Sequence, residues 1–241
     1  MRQGCLRVIA LAVASVVSMV FVPIPAASAD PGVVVFPGME IRQGTNVCTL
    51  AFVDLGTRTG YTAGHCRSNG LVTDRDGRVV GQQILFRDNT PDGAIVTTDY
   101  QISDWQTIAL APDVTLNDAL PGGRALVIDP AIGPQQGQPV CHFGVVTGES
   151  CGTVEAVNNG WFTMANGVVS QKGDSGGPVY TITGDGRAAI IGMFNSMWGQ
   201  FPAAVTWQAA DQQIREQVVQ FSASAAPVAS AAIPGQPIAP A

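Results

Sequence analysis

Histidine and charged side chains are scarce in this sequence, and each scarcity argues against a class of function. Charged residues make up 12% of the chain, and its 12 lysines and arginines are outnumbered by 18 aspartates and glutamates. These cations are scattered and form no basic stripe, which argues against nucleic-acid binding. With only 2 histidines and no C-x-x-C or H-x-x-x-H spacing, the sequence also lacks the pattern of a zinc site. We expect no nucleic-acid partner, no metal and no cofactor.

The sequence has one long apolar run, at its N terminus. Two arginines precede this run over 8–22, and two prolines follow it before Ala27-Ser28-Ala29, which has the form of a signal-peptidase cleavage site. The run is short, which favours a cleaved signal peptide over a retained membrane anchor. We predict a signal peptide over 1–29, no membrane contact after its removal, and a protein that is secreted, extracellular or associated with the cell wall.

Cysteine is the third scarce residue type, and its few positions predict crosslinks. The chain has 5 cysteines, of which Cys5 lies within the predicted signal peptide. The mature protein would keep Cys48, Cys66, Cys141 and Cys151. In an exported protein, four cysteines predict two disulfides, for which three pairings are possible.

Short apolar runs separated by turn residues fill the rest of the chain, which contains 28 glycines and 16 prolines. Many of these runs alternate or are rich in Val, Ile and Thr, as half-buried strands are. The predicted strands cover 48–53, 59–63, 78–86, 94–98 and 105–110, then 125–128, 139–146, 152–157, 161–164, 178–183, 188–194 and 203–206.

These two sets of strands predict an all-β fold of two antiparallel six-stranded β-barrels, rather than one sandwich. The predicted segments are an irregular N-terminal stretch over 30–46, barrels over 47–115 and 124–206, a linker over 116–123, a C-terminal helix over 207–220 and a disordered Ala/Pro-rich tail over 221–241.

The stretch Gly173-Asp174-Ser175-Gly176-Gly177 leaves a serine hydroxyl exposed on a tight turn. A serine is a weak nucleophile unless a base and a third group that orients the base are close to it. The base is either His65 or His142, the two histidines of the chain. The same stretch fits the nucleophile elbow of α/β-hydrolases, but there the histidine follows the serine, and none follows Ser175 here. With that class excluded, the remaining order of the three groups along the chain is histidine, then acid, then serine.

The pair of motifs Thr62-Ala63-Gly64-His65-Cys66 and Gly173 to Pro178, in this order, resembles the chymotrypsin-type (trypsin-like) serine peptidases. The stretch 141–153 is similar to that of actinobacterial members, and the whole chain looks like an exported mycobacterial one. The resemblance implies a chymotrypsin-like fold and a secreted, monomeric serine endopeptidase that cleaves polypeptides. It also implies the disulfides Cys48–Cys66 and Cys141–Cys151.

The resemblance assigns catalytic roles to particular residues. Ser175 would attack the scissile carbonyl, and His65 would take its proton and pass it to the leaving amine. The backbone N–H groups of Gly173 and Ser175 would form the oxyanion hole. The acid would be Asp104, because it opens an apolar strand as the acid of the family does. Asp92 is the alternative, although its Pro-Asp-Gly context is typical of an ordinary turn.

His142 stands where bacterial members carry an arginine that pairs with the aspartate before the nucleophile, here Asp174. The animal enzymes use a freshly cut N terminus instead, which the stretch from Asp30 does not resemble. We hypothesise that a charged His142 pairs with Asp174 and holds the oxyanion turn, with Arg124 or Lys172 as other possible partners.

The resemblance places the substrate pocket near Val169 and Phe194-Asn195-Ser196-Met197-Trp198. No acid stands at Val169, so a preference for Lys or Arg side chains is not expected. Two other functions stay open: a binding protein that keeps the fold without cleaving, and an esterase that uses the same three residues.

Overall fold

The computed structural model of the protein describes residues 32–68, 70–90 and 99–224. Short strands dominate, and a single turn of 3₁₀ helix over Gly64–Cys66 carries His65. The strands are β1 (Val34–Val35), β2 (Glu40–Gln43), β3 (Asn46–Thr49), β4 (Phe52–Asp54), β5 (Thr59–Thr62), β6 (Leu71–Thr73), β7 (Val79–Asp88), β8 (Asp104–Leu110), β9 (Thr115–Leu116), β10 (Leu126–Val127), β11 (Pro139–Gly144), β12 (Gly148–Val157), β13 (Trp161–Ala165), β14 (Pro178–Ile182), β15 (Ala188–Trp198) and β16 (Phe201–Thr206), followed by helix α1 (Trp207–Ser224).

The first barrel closes through a bent strand. Its sheet has the order β3-β2-β6-β7-β8-β5-β4, so the edge strands β3 and β4 are consecutive in the chain. Leu50 and Ala51 join them, and their amides continue the two ladders: Leu50 N donates to Met39 O at 3.0 Å and Ala51 N donates to Tyr61 O at 2.7 Å. Counted as one bent strand, β3 and β4 give the predicted six-stranded barrel, whose interior holds Leu50, Val72, Val80 and Ile108.

The second barrel closes by hydrogen bonds. Its strands run in the order β15-β14-β11-β12-β13-β16, and β16 pairs again with β15, while β10 adds to β15 outside the ring. Its interior contains Val140, Phe162, Met164, Val179 and Ile191. The inward positions of β11 alternate with outward ones, as expected for a strand with one buried face. The predicted all-β fold of two antiparallel barrels and a C-terminal helix is therefore confirmed.

An apolar cluster joins the two barrels and the helix. Phe52 and Trp105 from the first barrel, Tyr180 and Ile190 from the second, and Trp207 from α1 belong to one buried cluster. Rings of Phe52 and Trp207 meet edge to face with centroids 5.3 Å apart. Because the barrels share this core, the crevice between them has fixed walls. No helix in the described residues has the length and hydropathy needed to cross a membrane.

Three segment predictions differ from the structure or fall outside it. The stretch 30–46, predicted to be irregular, contains β1 and β2; β1 pairs in parallel with β9, and Ile41 and Gln43 of β2 point into the barrel. These strands are short, and the proline, glycine and polar residues around them gave no alternating apolar pattern in the sequence. Helix α1 runs four residues past the predicted end at 220. The signal peptide over 1–29, the strand over 94–98 and the tail beyond 224 lie outside the described residues.

Both expected disulfides are present. Cys48 of β3 is bonded to Cys66, which follows His65, and Cys141 is bonded to Cys151. Cys141 and Cys151 face each other across the β11–β12 hairpin. One crosslink therefore fixes the turn that carries His65, and the other closes a hairpin of the second barrel.

Gly192 allows the second barrel to close, and its replacement tests the packing there. A Cβ at Gly192 would lie 2.6 Å from Cε1 of Phe162 and 2.7 Å from the carbonyl oxygen of Val205. We expect Gly192→Ala to lower the free energy of unfolding by about 1–3 kcal/mol, measured by urea denaturation. The control is Gly184→Ala, whose Cβ would meet nothing within 4 Å. Equal stability of the two variants would contradict the close packing at Gly192.

Candidate active site

His65 and Asp104 form the best-defined polar pair in the crevice. The backbone N of His65 donates to Oδ1 of Asp104 at 2.8 Å, and His65 Nδ1 donates to Oδ2 at 2.8 Å. Asp104 is fully buried, whereas 34% of the His65 side chain is exposed. Gly64 makes this approach possible, because a Cβ there would lie 2.2 Å from the carbonyl oxygen of Arg87. The structure therefore brings together two of the three predicted triad residues, while Asp92 lies outside the described residues.

Asn195 is a further hydrogen-bond donor to Asp104. Its Nδ2 donates to Asp104 Oδ2 at 2.7 Å and to Thr90 Oγ1 at 3.0 Å, and its Oδ1 accepts from Ser196 Oγ at 2.6 Å. Nothing in the sequence connects Asn195 with Asp104, because they are 91 residues apart and meet only when the barrels pack. The side-chain amide of Asn195 therefore donates to the Asp104 carboxylate and accepts from the Ser196 hydroxyl at the same time.

The surroundings of His65 shift its protonation. Burial of the ring by itself lowers its pKa, but the hydrogen bond to Asp104 and the charges of Asp104 and Asp88 outweigh burial, and the pKa of His65 is raised. The ring thus binds a proton more readily than a free imidazole. Since Nδ1 is occupied by Asp104, the atom left for proton transfer is Nε2.

The Ser175 turn is held by its backbone. Gly176 N donates to Phe194 O at 2.8 Å, and Thr49 N donates to the carbonyl oxygen of Ser175 at 2.8 Å, so strands of both barrels hold the turn. Gly173 and Gly176 have φ values of +109° and +80°, which glycine adopts without strain. Within the described chain, the amides of Gly173 and Ser175 donate to no protein acceptor. These are the two amides predicted to form the oxyanion hole.

The Ser175 hydroxyl does not hydrogen-bond His65 in the described residues. Its Oγ lies 3.5 Å from the carbonyl oxygen of Asn195, and the Sγ of Cys66, the neighbour of His65, lies 3.8 Å from the Ser175 carbonyl oxygen. The serine turn and the histidine turn are therefore adjacent. Hydrogen bonds between a nucleophile and its base are often long before substrate binds.

The predicted ion pair between His142 and Asp174 is not formed. Among the described residues, no salt bridge joins Asp174 to His142, Arg124 or Lys172. His142 is instead an inward residue of β11, fully buried and packed on Phe194 with ring centroids 4.6 Å apart. Burial lowers the pKa of His142 to about 4, and the charge of Asp174 and the hydrogen bond to Pro178 O oppose this only in part. His142 is therefore neutral at neutral pH.

A cavity of about 230 Å³ opens beside Ser175. Its described lining residues are Ser170, Gln171, Lys172, Ser175, Phe194, Ser196 and Met197. Two of these lining residues contact each other, because Ser170 Oγ donates to Met197 Sδ at 3.3 Å. None of these lining residues is acidic, so the cavity offers no carboxylate to a basic side chain.

The described residues offer no free set of metal ligands at this site. Two groups of three potential ligands lie close together, Cys48-His65-Cys66 and Cys141-Glu149-Cys151. Both contain a disulfide, and disulfide sulfurs lack the thiolate that binds metals.

Two mycobacterial proteins are similar in sequence to this chain. Uncharacterized protein MT1863 of Mycobacterium tuberculosis (strain CDC 1551 / Oshkosh) is 58% identical over 188 residues, which are 78% of this chain and 85% of that protein. Uncharacterized protein Rv1815 of strain ATCC 25618 / H37Rv matches to the same extent. The chain belongs to the family of these two proteins. No family model matches it.

Solved structures of bacterial serine proteases share the fold of this chain. A glutamic acid specific serine protease has a TM-score of 0.52 and 20% identity, covering 78% of this chain and 98% of its own. Nocardiopsis protease has a TM-score of 0.52 and 19% identity, covering 76% and 96%. Thermobifida fusca Protease A has a TM-score of 0.51 and 20% identity, covering 78% and 96%. This chain therefore has the chymotrypsin-like fold of these serine proteases.

The two histidines give separate readouts of the site by NMR titration. In the wild-type protein we expect His65 to titrate above the usual value of about 6.5 and His142 near pH 4. In Asp104→Asn the pKa of His65 should fall, because burial then acts without the opposing carboxylate. The pKa of His142 should stay unchanged, which makes it an internal control. An unchanged His65 titration would contradict the Asp104 contact.

These opposite shifts have opposite effects on stability. The His65–Asp104 interaction stabilises the folded state fully below about pH 6.5, and this contribution is lost as pH rises through the folded pKa of His65. The neutral, buried ring of His142 acts in the opposite direction. Its contribution to the stability of the folded state is fully present above about pH 6.5 and is lost as pH falls toward about 4, because the unfolded chain then binds a proton that the folded ring does not.

Proposed function

We propose that this protein is a secreted serine endopeptidase that acts through His65, Asp104 and Ser175. The observation that carries the proposal is that a buried carboxylate, the imidazole it orients and a serine turn lie side by side, and that the Gly173 and Ser175 amides of this turn have no acceptor among the described residues. The fold of bacterial serine proteases supports it, and the two disulfides agree with an oxidising extracellular compartment.

In this proposal each group performs one step of acyl transfer. Ser175 Oγ attacks the scissile carbonyl carbon while His65 Nε2 accepts its proton, and Asp104 holds Nδ1 and stabilises the imidazolium. The oxyanion that forms binds the N–H groups of Gly173 and Ser175. His65 then donates its proton to the leaving amine, and a water molecule releases the acyl group by the reverse sequence.

A fluorophosphonate probe followed by a peptide library tests this function. We expect the mature protein to be labelled and to cleave peptides, and Ser175→Ala to lose both, on the order of 10⁶-fold in turnover. The control is Ser68→Ala, a serine of the first barrel outside the cavity lining. Labelling with ester turnover but without peptide cleavage would identify an esterase instead.

A non-catalytic binding protein is the second candidate. One observation favours it: the Ser175 hydroxyl contacts the carbonyl of Asn195 at 3.5 Å and, within the described residues, does not hydrogen-bond His65. Absence of probe labelling in the folded protein would support this candidate.

The cavity beside Ser175 supports a preference for acidic substrate side chains. Lys172 is the single charged residue in its described lining, and it forms no ion pair with the described part of the chain. Hydroxyls of Ser170 and Ser196 add further donors. One neighbour in fold is specific for glutamic acid and binds substrate with three histidines. This chain has 2 histidines, so the same preference would depend on Lys172 here.

Charge reversal at Lys172 tests the preference. We expect the wild-type protein to cleave peptides with Glu or Asp in the pocket faster than matched Gln or Asn peptides. Lys172→Glu should lower kcat/KM for the acidic peptides by about 3–10-fold, as expected for one partly exposed ion pair that becomes a repulsion. Lys172→Arg keeps the charge and serves as control. Equal losses for acidic and amide peptides would contradict the preference.

A further inference from the structure

The carboxylate of Asp174, next to Ser175, is surrounded by uncharged donors. Oδ1 accepts from the backbone N of Val146 at 2.8 Å and of Thr147 at 3.2 Å. Oδ2 accepts from Thr147 Oγ1 at 2.8 Å and from the backbone N of Gln171 at 2.7 Å. Asp174 is fully buried. Both carboxylate oxygens of Asp174 thus have hydrogen-bond donors, and none of these donors is a cation.

The connection between β11 and β12 is built around this carboxylate. Val146 and Thr147 lie between Gly144, the last residue of β11, and Gly148, the first of β12. A Cβ at Gly144 would lie 2.1 Å from Cγ of Asp174, so only glycine lets the hairpin approach so closely. The same hairpin is closed by the Cys141–Cys151 disulfide.

The hairpin is also tied to the peptide unit between Gly173 and Asp174, which lies between the two proposed oxyanion donors, the N–H groups of Gly173 and Ser175. Val145 N donates to Thr49 Oγ1 at 3.0 Å, and Thr49 Oγ1 donates to the carbonyl oxygen of Gly173 at 2.9 Å. The peptide bond between Gly173 and Asp174 is thus held at its carbonyl by Thr49 and at the following side chain by Thr147. Two hydroxyls and three amides fix the turn, and none of them carries a charge.

We propose that this uncharged clamp, formed by Val146, Thr147 and Gln171 around Asp174, organises the oxyanion turn as the protein folds. The site then requires neither a newly cut N terminus nor a cationic partner for Asp174, and Thr147 is a positioning residue. The inference rests on the proposed function, because it concerns how the oxyanion donors of that site are held.

Substitution at Thr147 tests the positioning role. Thr147→Val keeps the shape and removes the hydroxyl, so the turn should loosen and kcat should fall at least about 10-fold with KM within about twofold. Thr147→Ser restores the hydroxyl and should recover most of kcat. The control is Thr181→Val, which removes a hydroxyl whose one partner among the described residues is the carbonyl of Pro139. A loss in Thr147→Val that Thr147→Ser does not recover would overturn the role.

An N-terminal extension tests independence from activation. Chains that begin at Asp30 and chains that carry ten added residues before Asp30 should react with the fluorophosphonate probe at equal rates. A reaction confined to one of the two chains would overturn the inference, because it would show that the N terminus organises the site.

Hydrogen exchange separates failure of the inference from failure of the proposed function. The amides of Val146, Thr147 and Gln171 should exchange slowly in both chains, and Thr147→Val should accelerate them, whether or not the protein hydrolyses peptides. Exchange of these amides at the rate of an unfolded peptide would overturn the clamp even in an active enzyme. Slow exchange in a protein that the probe does not label would keep the clamp and reject the peptidase.

Discussion

The rest of the site depends on the hydrogen bonds made by the buried carboxylate of Asp104. It accepts hydrogen bonds from the backbone and ring of His65 in the first barrel and from Asn195 in the second. A buried charge is tolerated only when its hydrogen bonds are satisfied, so the carboxylate requires both barrels to be in place. The orientation of His65 and the position of the strand that lines the cavity therefore follow from one charged group.

Much of the fold and part of the site could be predicted from the sequence. The strands of both barrels are visible as apolar runs between turn residues, because each buries one face against a core. His65 and Ser175 stand in short motifs whose local chemistry is specific, whereas Asp104 was assigned through the family resemblance, with Asp92 as the alternative. The short strand β1 was missed because it has two residues and pairs with the distant strand β9. The strand β2 was missed although it pairs with the adjacent strand β3, because its four residues Glu40-Ile41-Arg42-Gln43 include only one apolar side chain.

His142 and Asn195 show why the remaining part of the site could not be predicted. His142 was expected to be charged, yet its place on the inward face of β11 excludes water and keeps the ring neutral. Asn195 was expected only to lie near the substrate pocket, and its role as a donor to Asp104 arises from the packing of one barrel on the other. A sequence motif reports local chemistry, whereas burial and partners across the chain are decided by assembly.

Thr49 has a consequence for how this protein can vary. It lies at the bend where the first barrel closes, its N–H holds Ser175, and its Oγ accepts from Val145 while donating to Gly173. Only a short side chain that donates and accepts at once, serine or threonine, can meet these demands in a buried position. Residue 49 thus links the closing bend of the first barrel to the Ser175 turn and to the β11–β12 hairpin of the second, so substitutions at this position are restricted to serine or threonine.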